Sequence, residues 1–269
     1  MKSKRLIVVS LDALSSIDFD MFSKLPNFKK FIRHAACCRQ VRSVYPSLTY
    51  PAHTSIVTGR TPAHHGIVNN ILLQPERSSP DWYWQRNYIR GTTLYDEVLK
   101  QGKHVAALLW PVTAKSEITW NLPEIFANRR WTNQILTSAA NGTVGYQLML
   151  NHRFGRLRDG IRQPALDNFV HASLKYTLKT YRPDLTLVHF TDLDTQRHHY
   201  GVHSEEAAAA IKRHDERIGE LMHLLHQNRM SVKRDTTVII LGDHSQLDVR
   251  NVILINKLLR EQGYLKVQN

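Results

Sequence analysis

The apolar run Leu6-Ile7-Val8-Val9-Ser10-Leu11, which ends at Asp12, is the clearest indication of the fold. Three more short apolar runs follow along the chain, at 105–110, 185–190 and 237–241. Nearly continuous apolar runs of this length are typical of strands that are covered on both faces, as in parallel sheets. We therefore predict that all four runs are strands of one mostly parallel sheet.

Helical patterns alternate with these runs. Apolar residues at helical spacing, together with Pro and Gly at the boundaries, predict helices at 28–36, 93–101, 205–228 and 249–262. No repeat or Gly/Ser-rich linker divides the chain. The alternation predicts a doubly wound α/β fold with helices on both faces of the sheet, in a single domain over residues 1–269.

Size and composition are those of a globular protein. The chain has 269 residues, of which 42% are hydrophobic, and no apolar run approaches the ~20 residues that a membrane-spanning helix needs. The first apolar run follows a basic start without a small-residue cleavage site, so we expect a strand there and a cytoplasmic protein. Cys37 and Cys38 are adjacent, which does not suggest a disulfide framework.

The net charge of +13 favours an anionic partner. The basic residues are scattered, so a solvated surface is the simplest interpretation, with electrostatic steering of phosphorylated substrates as the main alternative. No nucleic-acid recognition motif accompanies the charge, and we expect no stable nucleic-acid complex.

Acidic residues and histidines follow three of the predicted strands. Because ligands collect beyond the carboxyl ends of parallel strands, we expect a common cluster there: Asp12, Asp192, Asp194, Asp243 and His244, joined by His198 if residues 194–198 fold back. Carboxylate and imidazole ligands suit Zn²⁺ or a related ion. Taken singly, each Asp could equally be a helix cap or a turn residue.

A polar segment after residue 44 contains a candidate nucleophile. Pro51 predicts the start of a helix, and Thr49 would then lie just before a helix N-terminus, where free N–H groups favour anions. A hydroxyl in this position can be a plain helix cap. Beside metal ions, the same hydroxyl can become a nucleophile that attacks phosphorus.

Residues 45–70 resemble the nucleophile segment of the nucleotide pyrophosphatase/phosphodiesterases of the alkaline phosphatase superfamily. The resemblance is carried by Thr49-Tyr50-Pro51, Val57-Thr58-Gly59 and the stretch from His65 to Asn70. Ser10-Leu11-Asp12, Asp194-x-x-x-His198-x-x-Gly201 and Gly242-Asp243-His244 are similar to that family's metal-binding signatures, in the same order. The resemblance implies an alkaline phosphatase-like fold.

The resemblance also implies roles for individual residues. It implies two divalent ions, most simply Zn²⁺ with Mn²⁺ or Mg²⁺ as alternatives. One ion would be held by Asp12, Thr49, Asp243 and His244, and the other by Asp194 and His198. Thr49 would be the nucleophile, and Asn70 would hold a phosphate oxygen. Tyr50 would line a substrate pocket, with packing as an equal alternative, and Asp192 is expected to be structural.

Two departures from the family pattern are visible. Ser245 stands where the family usually has Gly, and no histidine follows His244 to complete the second metal site. Residues 264–269 have the alternation of a strand that is cut short, so we expect a C-terminally truncated catalytic domain. The expected function is metal-dependent hydrolysis of phosphodiesters or pyrophosphates. The alternatives are a phosphomonoesterase, a phosphonoacetate-type hydrolase or an impaired nucleotide-binding homologue.

Overall fold

The centre of the molecule is a parallel β-sheet. The structure is a computed structural model that describes residues 4–228, 230, 232 and 235–266. Within these residues the strands are β1 Arg5–Leu11, β2 Val105–Leu108, β3 Trp120–Leu122, β4 Leu185–Phe190 and β5 Thr236–Leu241. Their order across the sheet is β3-β2-β4-β1-β5, and every neighbouring pair is parallel.

Helices connect the strands and cover the sheet. They are α1 Phe19–Phe22, α2 Pro26–Ile32, α3 Thr49–Thr58, α4 Pro62–His65, α5 Leu94–Lys100, α6 Gln134–Ala139, α7 Val144–Phe154, α8 Ala165–Thr180, α9 Asp192–Tyr200, α10 Glu205–Gln227 and α11 Ile255–Glu261. None of the helices in the described ranges has the length and apolarity that a bilayer-spanning segment requires.

Side chains of alternate strand residues pack on opposite faces of the sheet. Ile7, Val9 and Leu11 of β1 belong to a large core cluster that also contains buried residues of α7, α8 and α10. Val8 faces the other way, into a second cluster with Val57 of α3 and Tyr95 of α5. Burial on both faces explains the nearly unbroken apolar runs, and it confirms the prediction of a parallel sheet with helices on both sides.

The four predicted strands are all present, and β3 is a further strand that the sequence did not reveal. The strand predicted at 105–110 ends at Leu108, because Leu109 has a positive φ of 52° and turns the chain. The helix predicted at 249–262 occupies only Ile255–Glu261. Residues 264–266 do not form the predicted strand, and 267–269 lie outside the described residues.

The register of the sheet brings the strand ends together. Leu11 is paired with Phe190 of β4, and Ser10 is paired with Leu241 of β5. The residues that follow these three strands therefore lie at one edge of the sheet. This is the edge at which the acidic residues were expected to converge.

Candidate metal centre and nucleophile

Thr49 is the first residue of α3, two residues earlier than the helix start predicted at Pro51. The cap position belongs to Leu48, whose carbonyl accepts the first helical hydrogen bond from Ala52 N–H at 3.0 Å. Thr49 is therefore not a helix cap, which was the simpler interpretation of its hydroxyl. Its Oγ1 instead lies 3.2 Å from Nε2 of His244, 195 residues further along the chain.

Three side chains at the sheet edge offer ligand atoms to a common point. Atoms of Asp12, Asp194 and His244 lie within 4.8 Å of one another. The His244 Nε2 atom is 3.3 Å from Asp12 Oδ1 and 3.5 Å from Oδ2 of Asp243. The resemblance implies two separate ions for these residues, and in the structure the residues form one continuous cluster.

The electrostatics of this cluster suit a cation. Asp12 Oδ1 and Asp243 Oδ2 are buried and have no hydrogen-bond partner among the described residues. Burial, with repulsion from Asp243 and Asp194, raises the pKa of Asp12 well above its usual range. Buried carboxylate oxygens without donors are costly unless a positive charge compensates them. The residues present therefore fit a divalent metal ion.

Asp243 is held by close contact between two loops. A Cβ on Gly242 would lie 1.7 Å from the backbone oxygen of Leu14, so only glycine allows this approach. The approach brings Asp243 Oδ1 within 3.1 Å of the Ala13 N–H, which donates to it. Ala13 itself has a positive φ of 62°, a strained conformation that this hydrogen bond helps to maintain. Ser245, by contrast, is not in the left-handed region, so replacement of the family's Gly causes no strain there.

The second predicted metal pair is also close together. His198 Nε2 lies 3.4 Å from Asp194 Oδ1, one helical turn apart on α9. The His198 side chain is 67% exposed, so a ligand could reach it from solvent. Gln246, which the sequence did not single out, places Nε2 3.0 Å from Asp194 Oδ1 and 3.0 Å from Nε2 of His198.

Asn70 and Tyr50 differ in what they offer a substrate. The Oδ1 atom of Asn70 accepts a hydrogen bond from the Tyr50 N–H at 2.9 Å. This contact fixes the amide at the start of α3 and leaves its NH₂ group as a donor. Tyr50 is fully buried, packs edge-on against Trp82 and donates its hydroxyl to Glu124 at 3.4 Å. The core encloses the Tyr50 side chain in this structure, which favours the packing alternative, and its substrate-binding role stays a prediction.

Asp192 has a structural role, as expected. Its carboxylate accepts two hydrogen bonds from Arg213, at 2.7 and 2.9 Å, and lies 3.4 Å from Arg217. The charged side chains Asp167, Asp192, Arg213 and Arg217 form a paired network between α8, α9 and α10. Asp192 therefore points away from the metal cluster although it lies only two residues from Asp194.

Sequence reasoning missed His189. This histidine is fully buried in β4, and its Nε2 contacts Asp12 Oδ2 at 3.0 Å. Its Nδ1 contacts Glu124 Oε2 at 3.0 Å. Burial alone would lower the pKa of His189, but the two carboxylates outweigh it and raise the pKa well above the usual value. The signal was an ionisable residue inside a run buried on both faces, which requires a partner.

His53 supports the cluster as a neutral ring. Its Nδ1 lies 2.8 Å from the Thr49 carbonyl oxygen and its Nε2 lies 2.9 Å from Ser10 Oγ. Burial, with the nearby charge of His189, lowers the pKa of His53 to about 3. The uncharged ring can then donate from Nδ1 and fix the first turn of α3 against the sheet.

The fold and the strand-edge cluster define an α/β protein of the alkaline phosphatase-like class. Residues 6–269 match the family model described as type I phosphodiesterase / nucleotide pyrophosphatase. The match covers nearly the whole chain, and the chain belongs to this family.

Relatives in sequence have names consistent with the match. Human ectonucleotide pyrophosphatase/phosphodiesterase family member 1 is 26% identical over 256 residues, which is 90% of this chain and 24% of the relative. Venom phosphodiesterase of Macrovipera lebetinus is 25% identical over 251 residues, 89% of this chain and 25% of the relative. The chain thus spans about a quarter of the length of these relatives.

Two solved structures share the fold. An inactive murine ectonucleotide pyrophosphatase/phosphodiesterase 5 in complex with AMP superposes with a TM-score of 0.61 at 19% identity, over 91% of this chain and 57% of that one. Phosphonoacetate hydrolase from Sinorhizobium meliloti, in complex with phosphonoformate, has a TM-score of 0.65 at 22% identity, over 97% and 62%. At this identity the likeness concerns the fold.

Proposed function

We propose that this chain carries a metal-dependent phosphodiesterase or nucleotide pyrophosphatase activity with Thr49 as the nucleophile. The observation that carries the proposal is the position of the Thr49 hydroxyl, 3.2 Å from His244 in a cluster with Asp12 and Asp194. Family membership and the names of the relatives support the reaction class. The AMP bound to the murine relative makes a nucleotide the first substrate class to test.

Two divalent ions fit the donor atoms of the cluster. Asp12, Asp243 and His244, with Thr49, would hold one ion, and Asp194 and His198 would hold the other. Bound there, they would lower the pKa of the Thr49 hydroxyl and offset negative charge on the phosphate. Zn²⁺ suits the imidazole and carboxylate ligands, and Mn²⁺ or Mg²⁺ are alternatives.

The chain's own residues would position and attack the substrate. Thr49 Oγ1 would attack phosphorus in line, forming a threonyl phosphate ester while the leaving oxygen departs on the opposite side. The NH₂ group of Asn70, fixed by the Tyr50 N–H, would donate to a non-bridging phosphate oxygen. Water would then cleave the ester and restore Thr49.

Basic charge would assist the encounter with substrate. The net charge of +13 attracts phosphorylated molecules in general. It does not distinguish a mononucleotide ester from a dinucleotide. Specificity would have to come from the walls around Thr49 and Asn70, to which the enclosed Tyr50 side chain contributes no surface.

A phosphonoacetate-type hydrolase or a phosphomonoesterase is the second candidate, because a phosphonoacetate hydrolase shares the fold over 97% of this chain. Turnover of bis-p-nitrophenyl phosphate, p-nitrophenyl phosphate and phosphonoacetate separates these activities. Each assay is run after chelation and again with added Zn²⁺, Mn²⁺ or Mg²⁺. We expect the diester to be preferred and the activity to require metal.

Thr49→Ala tests the nucleophile. We expect kcat for the preferred substrate to fall by about three orders of magnitude or more, because the covalent step requires the Thr49 hydroxyl. Ser47→Ala, in the same segment and exposed, should retain wild-type activity. A Thr49→Ala enzyme that keeps more than about a tenth of wild-type kcat would exclude Thr49 as nucleophile.

A further inference from the structure

Three donor groups meet beside the second predicted metal pair. Asp194 Oδ1, His198 Nε2 and the side-chain amide of Gln246 are separated by 3.0, 3.0 and 3.4 Å. Adjacent ligands of a divalent ion with bonds of about 2.1 Å lie about 3.0 Å apart in an octahedral site and about 3.4 Å apart in a tetrahedral one. The triangle therefore has the dimensions of one face of a metal coordination sphere.

The acidic residues Asp192 and Asp248 make other contacts. Asp192 is held by Arg213 and Arg217 in the paired network. Asp248 accepts a hydrogen bond from the Val202 N–H at 3.0 Å. Among the described residues, Gln246 has a side chain that contacts both Asp194 and His198.

The orientation of the Gln246 amide depends on the charge that it faces. Its NH₂ group donates toward the lone pairs of Asp194 and His198, whereas its Oε1 is buried without a hydrogen-bond partner among the described residues. A cation on those lone pairs would repel the NH₂ group and attract the carbonyl oxygen. A half-turn about the last side-chain bond exchanges the two atoms with little change in position.

We propose that Gln246 supplies the third protein ligand of the second metal ion through its side-chain oxygen, beside Asp194 and His198. The inference rests on the proposed function, which requires that ion. Two oxygens and one imidazole form a donor set that suits Mn²⁺ as well as Zn²⁺, because side-chain carbonyl oxygens are common ligands of oxygen-preferring ions.

Titration of metal-free protein with Mn²⁺ alone tests this assignment by calorimetry. We expect two ions per chain in the wild type. Gln246→Ala should weaken the second ion at least ten-fold and leave the first unchanged. Gln246→Glu should bind it at least as tightly as the wild type, since a carboxylate retains an oxygen ligand. Leu247→Ala, at the exposed neighbouring position, is the matched control and should behave as wild type.

A spectroscopic measurement separates a ligand from a hydrogen-bond donor. In protein labelled with ¹³C at the glutamine amide carbon, bound Mn²⁺ should show a ¹³C hyperfine coupling that Gln246→Ala removes. If the NH₂ group only orients Asp194 and His198, the coupling is absent and Gln246→Glu weakens the ion as Gln246→Ala does. That result would overturn the assignment.

Different results would contradict the Gln246 assignment and the proposed function. If the wild type binds two ions and Gln246→Ala is indistinguishable from Leu247→Ala, Gln246 is not a metal ligand, and the proposed function is unaffected. A wild-type chain that binds no Mn²⁺ or Zn²⁺ would overturn the proposed function together with the ligand assignment.

Discussion

Asp192 and Asp194 lie two residues apart in the first turn of α9, yet they belong to regions with opposite electrostatics. Burial raises the pKa of Asp192, but the hydrogen bonds from Arg213 and Gln196 and the nearby positive charge together outweigh burial, and the pKa is lowered overall. Burial raises the pKa of Asp194, and the attraction of His198 and His244 does not reverse it. Both residues follow the same strand, but the negative charge of Asp192 is compensated by arginine, whereas that of Asp194 is only partly compensated.

The difference comes from the neighbouring elements. Arg213 and Arg217 of α10 reach Asp192 and complete the paired network. Around Asp12, Asp194 and Asp243, the basic side chains that contact these carboxylates among the described residues are all histidines. An acidic residue at a strand end is therefore structural where a helix supplies arginine, and a candidate metal ligand where negative charge is left for a cation.

The largest effect should come from removing a ligand of the first ion. Asp12→Asn and Asp243→Asn keep the side-chain shape but remove a charged ligand oxygen, so we expect the affinity for that ion to fall by more than about 100-fold. Elemental analysis after dialysis should show about one metal ion less than in the wild type. Asp20→Asn, at an exposed position, is the control. Unchanged metal content in both variants would show that Asp12 and Asp243 are not metal ligands and would favour turn-forming roles.

A direct comparison of Asp192→Asn with Asp194→Asn should separate the two regions. Asp192→Asn removes the charged partner of Arg213 and leaves Arg217 paired with Asp167, and it should cost about 3–5 kcal/mol of unfolding free energy. Asp194→Asn removes a carboxylate whose buried charge is disfavoured, so stability measured with a chelator should change little while the affinity of the second ion falls. Urea unfolding and metal titration on both variants provide the measurement. Equal loss of stability in the two would contradict the distinction.

Much of this arrangement could be predicted from the sequence for a physical reason. Strands covered on both faces must be apolar at nearly every position, so β1, β4 and β5 are visible as short runs. Parallel strands end at the same edge, so the positions of Asp12 and Asp243 directly after two such runs predict that they lie near each other. The strand β3, with only three residues from Trp120 to Leu122, is too short for such a signal.

The unpredicted parts depend on contacts between distant residues. One of the two carboxylate partners of His189 is Glu124, 65 positions earlier, and no local pattern joins them. The edge-on contact of Tyr50 with Trp82 likewise joins residues that are distant in the sequence. Gln246 lies 52 positions from Asp194, and an amide in a loop carries no sequence signal for a ligand role.

His189 provides a further test of the difference between the metal cluster and the paired network. It contacts Asp12 Oδ2 and so leaves Oδ1 directed at the proposed ion, which makes it a positioning residue. His189→Leu should weaken the first ion about ten-fold, whereas His189→Gln, which retains one donor, should weaken it less. His199→Gln, exposed on α9, is the matched control. Wild-type affinity in both His189 variants, measured by Zn²⁺ titration, would confine His189 to packing.

The smallest expected effect concerns His214, which contacts Arg217 of the paired network. Its ring is fully buried, and its Nδ1 lies 3.4 Å from Nη1 of Arg217. Burial, together with the positive charges of Arg217 and Arg213, lowers the pKa of His214 to about 3, although Asp192 acts in the opposite direction. Phe190 provides an apolar contact. A second proton would therefore be accepted more readily by the unfolded chain than by the folded one.

This difference predicts how stability depends on pH. Since the folded pKa is depressed below the ordinary value of 6.5, the His214 contribution to stability is fully present above about pH 6.5 and is lost as the pH falls toward 3. At pH 5.5 the loss should be about 1–2 kcal/mol. His214→Asn keeps an acceptor for Arg217 but cannot take up a proton, so its stability should decline less between pH 7.5 and 5.5 than that of the wild type. His226→Asn, exposed on the same helix, should follow the wild-type curve. If the stability–pH curves of the wild type and His214→Asn were parallel, the buried ring would not resist protonation. The paired network would then accept added positive charge, as the metal cluster is proposed to do.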